Sequence, residues 1–452
     1  MVLPLTRRSM LRAGAAALAG AYFGSSLGLR AKATAPAVGG GTVDVALEAR
    51  PATLELSGRR VQVLAYNGSY PGPLIRAREG DRLRITLRNA LDEPTNLHFH
   101  GLHVSPAGNG DNVFVEVPPR REFLYELSVP AGYGGTFWYH PHAHHRLARQ
   151  LWRGLAGPLV IDPPLDASPE LAAAEEQVVV VKDLSIEGGL PSPHSTGDWA
   201  RGKSGRLVLV NGALRPTLRA RSSLVRLRLI NACNARMLLL AREDGRSFHL
   251  IAHDGHLLGA PQSLRELLVT PAQRVDLLLP LEPGAPLTLV HKPYSRGAQR
   301  EPSRVEPLLT VEPPSEHRPL PLPSRFTEVE RLDAGAAAVR RSFRMAMAFL
   351  APDGHGHLAP IRARLGDLEL WEITNVDTQD HVFHLHTWPF QVWRHAGREP
   401  AYPAWRDTIN LRPGERVELL IPFRRFAGRS VFHCHIAEHG DAGMMGVVEV
   451  EA

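Results

Sequence analysis

Cysteine is nearly absent from this chain of 452 residues, where only Cys233 and Cys434 occur. A disulfide-stapled scaffold is thereby excluded, and the cysteines say nothing about compartment. Beyond residue 33 no stretch is apolar enough to span a bilayer, so no membrane span is expected. A large excess of one charge is lacking too. Residues 1–33 carry Arg7, Arg8, Arg12, Arg30 and Lys32 and no acid; without these five the formal +6 falls to about +1, which removes charge as an argument for nucleic-acid binding. Helical periodicity is also scarce, which argues against bundles and alternating α/β folds.

What is present begins with an address. Thr6-Arg7-Arg8-Ser9-Met10-Leu11-Arg12 precedes a mildly apolar stretch to Leu29, and Ala31-Lys32-Ala33 offers a small-x-small cleavage site. The paired arginines resemble a twin-arginine signal, so residues 1–33 are expected to direct export of the folded protein to the periplasm or beyond.

From about Thr42 the chain is strand-like, with short alternating runs punctuated by Gly and Pro. A repeat organises it: Arg76-Ala77-Arg78, Arg219-Ala220-Arg221 and Arg362-Ala363-Arg364 recur in two equal steps of 143 residues. Each triplet precedes an alternating run ending in Asn, at Asn89, Asn231 and Asn375. The length suits two to four domains. The expected fold class is all-β, three tandem Greek-key β-sandwich domains over residues 42–165, 175–312 and 325–452. Asp162-Pro163-Pro164-Leu165-Asp166 and the proline run from Pro313 to Pro323 mark the joints.

The repeat also locates chemistry. Nine residues after Asn89 and Asn375 stand His98-Phe99-His100 and His384-Leu385-His386, whereas the same step from Asn231 reaches Leu240. Two further pairs, His140/His142 and His433/His435, complete a set of four His-x-His motifs. On a strand each pair projects from one face, so eight imidazoles are expected to meet between the first and third units. The second unit reads as a spacer without metal. Between His433 and His435, Cys434 faces the opposite way. With His439 and Met444 it forms the thiolate, imidazole and thioether set of a mononuclear copper centre, and His381, offset by three from His384, completes it.

These four motifs, including Trp138-Tyr139-His140-Pro141-His142, resemble those of the multicopper oxidases, the family of laccases and cuprous oxidases, over essentially all of the chain after the leader. The resemblance implies cupredoxin-like domains and four copper ions. His98 and His384 would hold the type 2 ion, and His100, His140, His142, His386, His433 and His435 the type 3 pair. His381, Cys434, His439 and Met444 would hold the type 1 ion. His103, His144 and His145 fall outside the register. His249, His253, His256 and His291, in the second unit, are read as core or surface residues.

The resemblance further implies a laccase-like oxidase that passes electrons from a small phenolic or aromatic-amine donor to dioxygen, giving water. Electrons would enter at an exposed edge of His439, and Asp111, thirteen residues after His98, would serve as the acid near the cluster. Many relatives carry a glutamate where this chain has Gly440. Only Met237, Met345 and Met347 lie outside the copper motif and the leader, so the methionine-rich insert of some cuprous oxidases is missing. An axial Met444 implies a low to middle potential. A monomer is expected. The alternatives are a metal-ion oxidase in copper homeostasis and a copper-poor scaffold of the cell envelope.

Overall fold

The computed structural model describes residues 40–163, 169–297, 299–300, 304–354 and 356–452. The leader and part of the first joint lie outside the described residues. The strands that the repeat singled out, Arg82–Asn89, Leu224–Asn231 and Leu368–Asn375, each lie inside a sheet. Each runs parallel to a strand that opens its unit (Thr42–Leu56, Glu175–Leu184 or Val339–Met345). Each also runs antiparallel to a later one (Glu122–Ser128, Arg274–Pro280 or Arg416–Pro422).

The Arg-Ala-Arg segments begin the opposite sheet. Ile75–Arg78, Thr217–Arg219 and Ile361–Arg364 pair in parallel with the last strand of each unit, Gly157–Asp162, Glu306–Glu312 and Met445–Glu451. A chain that crosses between two sheets in this way makes a Greek-key sandwich, and it does so three times. Alternation supplies the cores: Leu83, Ile85 and Leu87 point inward in the first unit, Val225, Leu227 and Leu229 in the second, and Trp371 and Ile373 in the third.

The repeated asparagine has a defined task. Asn89 donates to the carbonyls of Glu93 and Val117 and accepts the Leu91 N–H. Asn231 does the same with Arg236, Val269 and Cys233, and Asn375 with Gln379, Leu411 and Asp377. Each buried amide thus ends a strand, turns the chain and ties it to a neighbour. In the first and third units the segment so aimed carries the histidines, on His98–His100 and His381–Leu385.

A buried ion network joins the first two units. Asp276 accepts from Arg226 Nη2 (2.9 Å), Arg228 Nη1 (3.0 Å) and, across the junction, Thr136 Oγ1 (2.7 Å). Arg228 also donates to Glu176, which Arg76 of the first unit shares. Among the described residues no helix is long and apolar enough to cross a membrane. Asp276→Ala, which removes the carboxylate that two buried guanidinium groups share, is expected to lower the unfolding free energy by about 3–5 kcal/mol, read from denaturant midpoints.

Candidate metal centre

Strand register brings the histidines together. His98 stands opposite His140 and His100 opposite Trp138, while His384 pairs with His433 and Phe383 with Cys434. Across the units, His98 stacks on His386 and His100 on His384, each with ring centroids 3.8 Å apart. His433 Nε2 lies 3.1 Å from His142 Nε2 and 3.0 Å from His386 Nε2. His435 closes the group, with its ring 4.9 Å from His100 and 5.4 Å from His140. All eight are buried. Nitrogens of His98, His384 and His386, of His98, His100 and His140, and of His142, His386 and His433 form trios within 4.8 Å.

For five of the rings one nitrogen is held from outside. His140 Nδ1 donates to the Pro141 carbonyl, His384 Nδ1 to that of Asp407 and His433 Nδ1 to that of Cys434, each at 2.9 Å. His100 Nε2 donates to Asp407 Oδ1 (3.1 Å), and His98 Nδ1 meets both Asp111 oxygens (2.9 and 3.1 Å). The opposite nitrogens of His98, His100, His140 and His384, and both of His435, have no hydrogen-bond partner among the described residues. Burying so many lone pairs unsatisfied is costly, and a metal ion is what this donor set fits. Desolvation, reinforced by neighbouring imidazoles, holds His98, His142, His386 and His435 well below the ordinary histidine pKa and lowers His140 and His433 to about 3. These six rings are therefore neutral and available as ligands.

On the other face of the same strand, Cys434 Sγ lies 3.6 Å from His381 Nδ1 and 3.7 Å from His439 Nδ1, which are 3.2 Å from each other. Burial pushes the Cys434 thiol up to about 12. Asp377 accepts from His381 Nε2 (2.9 Å). Met444 is buried beside them, its N–H bonded to the His439 carbonyl and its own carbonyl to the Cys434 N–H.

One expectation is corrected. His439 presents no exposed edge; it is fully buried. The end of helix Thr196–Arg201, from the second unit, lies over it, with the Ala200 carbonyl beside the imidazole. Gln379 Nε2 holds that carbonyl (3.0 Å) and Arg296 Nη2 the next (2.9 Å). Spacing within the third unit carried no sign of a cover contributed from elsewhere.

Asp111 lies directly behind His98, accepts the Phe99 N–H, and is raised by burial to about 7. A Cβ at Gly440 would stand 3.6 Å from His433 Nδ1, so an acid there would have flanked that ring. Nearby Glu438 is buried and accepts from His194 and Asn234, and Asp441 accepts the Ala148 N–H. His103 bonds the Thr387 carbonyl, and His144 and His145 are exposed against each other. His253 is a core residue bonded to Tyr402, while His291 is buried and His249 and His256 are partly exposed. The reading from sequence passed over Asp407, which sits under His100 and His384 with only a Trp-Arg-Asp-Thr run to announce it.

Multicopper oxidase family models match residues 48–166 and 340–452. The multicopper oxidase Mco of Staphylococcus haemolyticus is 30% identical over 396 residues, 86% of this chain and 83% of that one. Cell division protein FtsP of Dickeya dadantii is 29% identical over 419 residues, 87% and 86% of the two chains. The solved structure of a multicopper oxidase from Campylobacter jejuni, described as a metallo-oxidase, superposes with a TM-score of 0.83 at 29% identity, covering 91% and 92%. The paired sheets are thus cupredoxin-like sandwiches, the fold class expected.

The depressed histidines set a pH dependence for the metal-free chain. Unfolded imidazoles protonate near pH ~6.5, whereas the folded cluster resists protonation down to about 3 at His140 and His433. The unfolded state then binds more protons across that window, so stability is full above about pH 6.5 and falls as pH drops through it. A series of urea midpoints between pH 7 and about pH 4 is expected to decline steeply, and less so when several of these histidines are replaced by Gln.

Proposed function

Because the chain belongs to the multicopper oxidase family, we infer that it is a laccase-like oxidase, coupling one-electron oxidation of a small donor to reduction of dioxygen to water. The observation that carries this reading is the pair of buried donor clusters on opposite faces of one segment, His433-Cys434-His435. His381, Cys434, His439 and Met444 would hold one copper ion, and the eight remaining imidazoles three. Bound copper would supply one-electron uptake at the first site and four-electron reduction of dioxygen at the second.

The protein's own part is position and protons. Held outer nitrogens aim the inner ones, and burial keeps bulk water away. Asp111, poised near neutral pH at His98, can hold and release a proton where oxygen reduction needs one. Gly440 supplies none. We take the units to be residues 42–165, 175–312 and 325–452, and the leader to export the protein.

Two observations favour a second reading of the donor. His439 is covered, which disfavours direct contact with bulky phenols, and the Asp377 carboxylate touches His381. Metal-ion donors fit both. The similarity to FtsP keeps a scaffold role in play, against which the full donor set stands.

Steady-state oxygen uptake by copper-loaded protein with cuprous, ferrous, manganous and phenolic donors tests these readings together. Blue absorbance and uptake with at least one donor are expected; a colourless, inert, metal-loaded protein would favour the scaffold. Cys434→Ser should abolish both the colour and donor oxidation. Asp111→Asn should keep the colour and lower turnover by about 10²–10⁴-fold.

A further inference from the structure

The second unit lacks histidines at the repeat position, yet it reaches the imidazole cluster by another route. Asp407 is the hub: Oδ1 accepts from His100 Nε2 (3.1 Å), and its backbone carbonyl accepts from His384 Nδ1 (2.9 Å). Thr408 Oγ1 donates to Asp407 Oδ1 (2.7 Å) and lies 3.4 and 3.3 Å from those same two nitrogens.

What fixes Asp407 comes from the second unit. Arg274, at the start of strand Arg274–Pro280, donates Nη1 to Oδ1 (2.8 Å) and Nη2 to Oδ2 (2.6 Å), a planar two-bond fork. Asp254 accepts the N–H groups of Asp407 (3.2 Å), Thr408 (3.3 Å) and Arg274 (3.3 Å), which ties the backbone on both sides to one carboxylate. Arg274 and Asp254 are fully buried. The approach requires the glycine after His100: a Cβ on Gly101 would stand 2.1 Å from Arg274 Nη2 and 2.7 Å from Asp407 Oδ2, and its φ is +87°.

We propose that Arg274 and Asp254 are positioning residues of the second unit: by locking Asp407 they set which nitrogen of His100 and His384 carries the proton, and so which one faces the cluster. The inference rests on the copper-oxidase reading of that cluster. With its carboxylate plane held by the fork, Asp407 offers an acceptor to His100 Nε2 and leaves Nδ1 for the metal. Its carbonyl, held by the Asp254 contacts, does the reverse for His384. Without the fork, His100 loses a fixed acceptor and both tautomers become accessible.

The test compares wild type with Arg274→Gln and with Arg274→Lys, which keeps the charge but not the fork. In copper-loaded protein, the copper held by the imidazole cluster should bind about 10–100-fold more weakly in the variants, measured by competition with a chelator, while the blue absorbance of the Cys434 site persists. In the metal-free chain with ¹⁵N-labelled histidine, long-range NMR should show single tautomers at His100 and His384 in wild type and a mixture at His100 in the variants, with His384, whose acceptor is the backbone carbonyl held by Asp254, unchanged. The wild-type tautomer at His100 in any folded variant lacking the fork overturns the proposal. Wild type that binds no copper would sink the oxidase reading instead, and the tautomer comparison still decides this one.

Discussion

Eight imidazoles can share one buried space only if each is neutral and each is turned the right way. For His98, His100, His142, His386 and His435 the first condition is met by desolvation, which drives their pKa well down. For five of the rings the second is met by outside acceptors: the carbonyls of Pro141, Asp407 and Cys434 and the carboxylates of Asp111 and Asp407. Much of the architecture serves to deliver those acceptors. The first unit supplies Asp111, the third supplies Asp407, and the second supplies the groups that hold Asp407 still.

The same segment explains how two centres come to be adjacent. Because successive side chains on a strand face opposite ways, His433 enters the imidazole cluster while Cys434 meets His381 and His439. Neither centre can shift without disturbing the other, since one peptide bond separates them. The strands His381–Leu385 and Gly428–Cys434 pair with each other, so this shared footing is doubled: His384 opposite His433, and Phe383 opposite Cys434.

Much of this was legible in the sequence, for physical reasons. Period-two alternation marks strands wherever one face is buried, so Arg82–Asn89, Leu224–Asn231 and Leu368–Asn375 were recognisable almost to the residue. His-x-His on a strand has one geometric meaning, and the four pairs do converge. What escaped were relations between distant segments. Nothing near His439 foretells that Ala200 lies over it, and nothing near Asp407 foretells Arg274, 133 residues earlier in the chain. Short polar contacts across units leave no periodic trace.

Gly101 carries a consequence for anyone recombining relatives of this fold. The first unit leaves room there for an arginine that the second unit donates to an acid of the third. A chimaera that exchanges whole units would keep every histidine of the cluster and still be mismatched unless residues 101, 254, 274 and 407 are inherited as a set. Compatibility between units is thus written in a side chain that is missing.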